Sequence, residues 1–251
     1  MICKGCGEDK SLIKAHIIPR SFYMDLRKNE NRLDMVSTNI KQKKGLSRIG
    51  EYDHDILCKE CDQFLSKYDD YGKKLLLDQF DNFDTLIDGK LIRAYVVRNY
   101  DYLFLKLFLL SVLWRASISK RTFFKDVNLG DHERHIKDLI FNTEDDGNRV
   151  YGCSLQKFIP SEIGSLEKSI ISPDNKKLRG LNYYRLWFGG YISWIRIDIN
   201  QDPDGVGMYE LIKDKDAIFL SKHFHDSSES RLLEGSIKTQ YNSRDIAGKI
   251  L

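Results

Sequence analysis

The hydrophobic pattern divides the chain into a loop-rich start, a helical middle and a β-rich end. Over residues 1–57 apolar positions come in short runs broken by glycine and charge. Within them, 12-LIKAHIIPRSF-22 predicts a short strand running into a turn at Pro19. The polar stretches 25–34 and 41–48 predict surface. Phe64, Tyr68, Tyr71 and Leu75 follow the spacing of one helical face and predict a helix from about Cys61 to Phe80, with Gly72 its weak point. In 84-DTLIDGKLIRAYVV-97, Asp88–Gly89 separates two β-prone runs and predicts a hairpin. Residues 101–119 are apolar almost all round, the mark of a central helix. The apolar run within them, Tyr102 to Trp114, is too short to span a bilayer, is broken by Lys106 and is followed by Arg115. Ile136, Leu139 and Ile140 give a third helix, from about Asp131 to Asn142, its apolar face.

From Val150 the period changes to two. In 182-NYYRLWFGGYISWIRIDI-199, Gly189–Gly190 joins two alternating runs as a tight hairpin, and further strands are expected at Tyr209–Ile212 and Ala217–Phe224. The expected architecture is α+β. A module over residues 1–80 precedes an α+β domain over 81–251, built on a central buried helix and an antiparallel sheet. No internal repeat is visible.

Composition narrows this only slightly. With 41% hydrophobic and 31% charged residues the chain can build a core, and its net charge of +3 is too small to argue for nucleic acid by itself. Lys4 and Glu8–Asp9–Lys10 stand where a signal peptide would need an apolar run, so a cytoplasmic protein is expected, with no membrane partner.

Cysteine spacing changes the picture more. Four of the five cysteines form two C-x-x-C pairs, Cys3/Cys6 and Cys58/Cys61. Zn²⁺ takes four thiolates tetrahedrally, and a C-x-x-C turn presents two of them, so the pairs predict one structural zinc. A helix starting at the second pair would make the arrangement a treble clef. The competing redox reading needs a single C-x-x-C in a βαβ setting, which the pattern lacks. Cys153 stands alone in a strand-like run and reads as a buried thiol.

Between the pairs lies 14-KAHIIPRSF-22, and 50-GEYDHDILCKECD-62 carries the second pair. The order C-x-x-C, HIIP, then an apolar pair leading into L-C-x-x-C resembles the zinc-stabilised branch of the HNH endonuclease superfamily, over about residues 1–80. The resemblance implies a ββα-metal core that hydrolyses phosphodiester bonds in DNA, with bacterial defence against foreign DNA as a setting. It puts His16 at the general-base position, Asp62 at the final metal-ligand position and Asp53 near the central Asn position, with His54 and Asp55 able to take over either role. The implied catalytic ion is Mg²⁺ or Mn²⁺. The pattern departs at Ala15, where the family carries a metal ligand.

Each of these residues also has a plainer reading. His16 can simply hold its strand in place, and Asp62 can favour the positive end of a helix. Either way the module can bind nucleic acid or a partner protein without hydrolysis. The basic stretch Lys41, Lys43, Lys44 and Arg48 can contact phosphates or serve solubility, and Arg20, Arg27, Lys28 and Arg32 add charge nearby. The spacing of 132-HERH-135 is wrong for a zinc protease, and it reads as an exposed helix face, as His223 and His225 read as surface. Tyr183, Tyr184, Trp187, Tyr191 and Trp194 crowd one hairpin; some face the core, and any exposed remainder can stack on a base or a partner. Residues 81–251 match no catalytic motif, and the sequence does not give an oligomeric state.

Overall fold

A computed structural model describes residues 1–27, 35–36, 50–159, 170–201, 206–223, 227 and 230–231. Its first elements are short: β1 (Ala15–His16), helix α1 (Arg20–Arg27), β2 (Met35–Val36) and β3 (Tyr52–Asp53). The expected turn at Pro19 is instead a helix start. Proline needs no N–H donor at a helix N-terminus and arrives with helical φ, and its carbonyl accepts the Phe22 N–H at 3.1 Å. Phe22 and Tyr23 on α1 are buried.

Helix α2 (Lys59–Lys73) opens at the second cysteine pair and passes into one π-type turn, Lys74–Asp78, before a 3₁₀ turn at Phe80–Asn82. The hairpin of β4 (Asp84–Asp88) and β5 (Leu91–Val97) follows, its two-residue loop being Gly89–Lys90. Helix α3 (Tyr102–Ile118) starts where Asp101 accepts the Phe104 N–H at 2.9 Å, a side-chain N-cap. Helix α4 (His132–Asn142) buries Ile136 and Ile140.

The β-rich part supplies β6 (Cys153–Phe158), β7 (Ile170–Ile171), β8 (Asp174–Leu178), β9 (Leu181–Phe188), β10 (Tyr191–Arg196) and β11 (Ala217–Lys222). Gly189 (φ 58°) and Gly190 (φ 78°) form the β9–β10 turn, where two consecutive positive φ values favour glycine.

Seven strands form one sheet in the order β4-β5-β11-β6-β10-β9-β8. The expected antiparallel sheet is therefore mixed. β11 pairs antiparallel with β5 but parallel with β6. Alternation fixes which side chains face the core, but not the direction in which a distant strand enters. The strand expected at Tyr209–Ile212 is also absent, since residues 207–209 form a 3₁₀ turn and β11 takes the sheet position.

Helix α3 is the centre. It is buried on nearly every side, against α2, α4 and the sheet, and one continuous cluster of buried apolar residues runs from Cys3 and Ala15 to Phe219 across residue 80. Among the described residues, no helix is long and apolar enough to cross a membrane. The β9–β10 hairpin is covered on both faces. Tyr183, Tyr184, Trp187 and Tyr191 are buried, and Trp194 is half-buried against a second, smaller cluster of Phe158, Ile171, Trp187 and Ile192.

Candidate metal centre and the ladder beside it

Two turns bring the four thiols together. In the first, the Gly7 N–H donates to the Cys3 carbonyl and the Cys3 N–H to the Glu8 carbonyl, both at 2.9 Å. A side chain on Gly5 would start 2.6 Å from Cys61 Sγ, so glycine lets the first turn close on the second. In the second, Cys58 is the N-cap of α2 and Cys61 lies in its first turn. Main-chain bonds join the two turns: the Lys4 N–H donates to the Ile56 carbonyl and the Ile13 N–H to the Leu57 carbonyl.

The Sγ atoms of Cys3, Cys6, Cys58 and Cys61 all lie within 4.8 Å of one another. Tetrahedral Zn–S bonds of about 2.3 Å put sulfurs about 3.8 Å apart, so the cluster can hold a metal ion such as Zn²⁺. Burial alone would raise the Cys3 thiol, but N–H groups of Cys58, Cys6 and Gly5 bring it down to about 7. Burial raises Cys58 and, reinforced by the neighbouring thiols, Cys61. Without a cation, these groups resist full ionisation in one place. A metal supplies the compensating charge. Cys153 is fully buried elsewhere, its thiol pushed up to about 12 by burial.

Beside the cluster, β1 and β3 pair with Ala15 opposite Asp53 and His16 opposite Tyr52. Opposed residues share a face and successive ones alternate, so His16 and Asp53 point to opposite sides of this ladder. Ala15 is fully buried and Asp53 is 5% exposed. One Asp53 oxygen accepts the Asp55 N–H at 3.0 Å; the other accepts the Ser119 hydroxyl at 3.0 Å and the Lys120 N–H at 2.9 Å. Burial would raise this carboxyl, but those donors and the charge of Arg121 hold it below the ordinary carboxylate value. Asp53 thus ties β3 to the end of α3.

On the other face His16 is half-buried and packs near Tyr52, ring centroids 6.1 Å apart. The Lys14 ammonium sits 3.5 Å over the Tyr52 ring, and exposed His54 meets the same ring edge-on at 5.3 Å. Asp62 is half-buried in the first turn of α2. Burial raises its carboxyl, the charge of Arg115 opposes that rise, and Asp69 adds to it.

The structure therefore brings the four cysteines together and pairs His16 with Tyr52 on the adjoining ladder, but among the described residues it does not gather His16, Asp53, His54 and Asp62 as one ligand set. Among the described residues, the cysteines are the one group of three or more His, Cys, Asp or Glu side chains able to share an ion. The donor set for a catalytic divalent ion does not fit. Ala15 offers no ligand atom, and Asp53 is held by three donors on the opposite face. Lys28, Arg32, Lys41, Lys43, Lys44, Arg48 and His225 lie outside the described residues, as does the side chain of Arg27. His132 Nδ1 lies 3.1 Å from the Tyr151 hydroxyl, a local contact, while His135 and His223 are exposed.

Two residues of this neighbourhood carry no motif. Arg115, on α3 and 1% exposed, makes a two-pronged ion pair with Asp69 of α2 (2.8 and 2.6 Å) and donates to the His16 carbonyl at 3.1 Å. The signal available in the sequence is a charge inside a largely apolar helix, which Lys106 shares.

No protein-family model matches the chain, and neither curated proteins nor solved structures yield a match.

Proposed function

We propose that the protein is a zinc-scaffolded, HNH-like protein that engages nucleic acid, DNA above all, through the face carrying His16, and that it does so without metal-dependent hydrolysis. The observation that carries this reading is the β1–β3–α2 unit fastened by four thiols. It fits a treble clef of the ββα type, with His16 at the position of a general base. Exposed Lys14, Arg20, Lys120 and Arg121 lie on segments adjoining the ladder and suit a polyanion, although Arg121 also leans on Glu51 at 3.3 Å. What argues against hydrolysis is the ligand set: buried Ala15, and an Asp53 committed to three donors on the opposite face.

The second reading is an active nuclease in which His16 takes a proton from the attacking water. It is favoured by the placement of His16 on the face away from Asp53, beside basic side chains. One experiment separates the two. Supercoiled plasmid is incubated with the zinc-loaded protein and Mg²⁺, Mn²⁺ or Ni²⁺, beside His16→Ala, and the same preparations are titrated onto labelled DNA over a salt series. The first reading expects binding that weakens steeply with salt and no His16-dependent cutting. Cutting that His16→Ala abolishes would replace it with the nuclease. Binding with no salt dependence, or none at all, would remove nucleic acid as the partner.

A further inference from the structure

Arg115 lies in the angle between the His16 strand and α2. Its guanidinium has five N–H donors, and acceptors surround it. Nε donates to the Ser111 carbonyl at 3.2 Å. Nη1 serves the His16 carbonyl at 3.1 Å and Asp69 Oδ2 at 2.8 Å. Nη2 serves Asp69 Oδ1 at 2.6 Å and, at 3.4 Å, the Ser111 hydroxyl. A guanidinium held this way has a fixed position and a permanent charge. Asp62 and Asp69 are seven residues apart on α2, and so lie on one face of it, two turns from each other.

We propose that Arg115 is the resident cation of this site: it supplies, as part of the chain, positive charge between the His16 strand and the carboxylates of α2, and thereby excludes a divalent ion there. The proposal rests on the HNH-like reading only for the expectation of a metal at this place. The geometry of the site agrees with it: both carboxylate oxygens of Asp69 are taken by the Arg115 guanidinium, at 2.8 and 2.6 Å. A second cation would meet a like charge at close range in a poorly solvated setting. Arg115 is a positioning residue. It holds the main chain of His16, and nothing places it on a substrate.

The test uses full-length, zinc-loaded protein and Mn²⁺ as the probe. Imidazole resonances are recorded during Mn²⁺ titration, with His16→Asn assigning the His16 signal. The wild-type protein should show no selective broadening of His16 at millimolar Mn²⁺. In Arg115→Met the carboxylates lose their internal cation, and Mn²⁺ should broaden His16 at concentrations lower by about tenfold or more, the scale expected for removing one nearby unit charge. That gain should disappear in Arg115→Met combined with Asp69→Asn. Broadening of His16 in the wild-type protein overturns the proposal, as does a folded Arg115→Met that gains nothing. Should Arg115→Met fail to retain zinc and secondary structure, the wild-type arm alone decides, silence supporting the proposal and broadening overturning it. The DNA titration judges the HNH-like reading separately, because the Mn²⁺ result needs no nucleic acid.

Discussion

The cysteine end and the sheet end of this molecule are held together by different means. In the sheet, strands of six to eight residues such as β5, β6, β9 and β10 pair along their length and bury apolar side chains in the core around α3. At the cysteine end, β1 and β3 are two residues each, too short for main-chain pairing to fix them. Their place is set by side chains instead: four thiols, Asp53 on the end of α3, and Arg115 on Asp69 and the His16 carbonyl. The difference teaches that a face can be positioned almost without secondary structure, provided that a few strong interactions over-determine it. It also predicts that the two ends fail separately.

The largest effect should come from the metal. In zinc-finger peptides structural zinc contributes about 10–16 kcal/mol of binding energy that is also folding energy. Chelation, or Cys58→Ser, should therefore melt the β1–β3 ladder while most far-UV signal from the sheet survives. Hydrogen exchange resolved to peptides 10–20 and 50–62 is the check, and uniform loss of protection over the whole chain would break the comparison.

Next comes a buried charge of the sheet half. Lys106 is 1% exposed in its side chain, and its ammonium contacts Asp145 (2.6 Å), Asp146 (2.5 Å), Asn148 (2.7 Å) and the Tyr102 hydroxyl (3.3 Å). Lys106→Met should cost about 3–5 kcal/mol, because two carboxylates lose their cation in a poorly solvated place. Urea unfolding measures it. Zinc content should stay unchanged, which would sharpen the separation of the two ends.

A smaller loss is expected at Asp53. Asp53→Asn should cost about 1–3 kcal/mol through weakened hydrogen bonds to buried donors. The sign of its pH dependence follows from the lowered folded-state pKa. The stabilisation is fully present above the unfolded carboxylate value of about 3.9 and is lost as pH falls through the lower folded value. The gap between wild type and Asp53→Asn should therefore close in acid, and a gap that widens there would contradict the assignment.

The smallest effect belongs to the cap of α3. Asp101→Ala should cost about 1 kcal/mol, seen as a shift in the denaturation midpoint with no change in metal binding.

What could be read in advance follows the same division. The spacing of Cys3/Cys6 and Cys58/Cys61 announced the thiol cluster because a C-x-x-C turn is local chemistry. Gly189–Gly190 announced its hairpin, and Asp101 stood at the start of α3, for the same reason. The helix after Pro19 leaves no clear mark in the sequence because its eight residues, with Phe22, Tyr23, Met24 and Leu26 apolar, span too few turns to show a period. The parallel entry of β11 beside β6 was hidden because pairing partners so far apart leave no trace in either strand's alternation. At the ladder, position in the chain groups Asp53 with His16, but the pleat turns one away from the other. Arg115 and Asp69, 46 residues apart, met without any motif to mark them.

The central claim is that one ion held by four thiolates fastens the turn of Cys3 and Cys6 to the start of α2, beside the ladder that carries His16. The most direct test is the metal content of untagged, freshly purified protein, measured beside Cys58→Ser. The account predicts one zinc per chain in the wild-type protein and its loss in the variant. A wild-type chain with no tightly bound metal, or a variant that keeps it, would contradict the account.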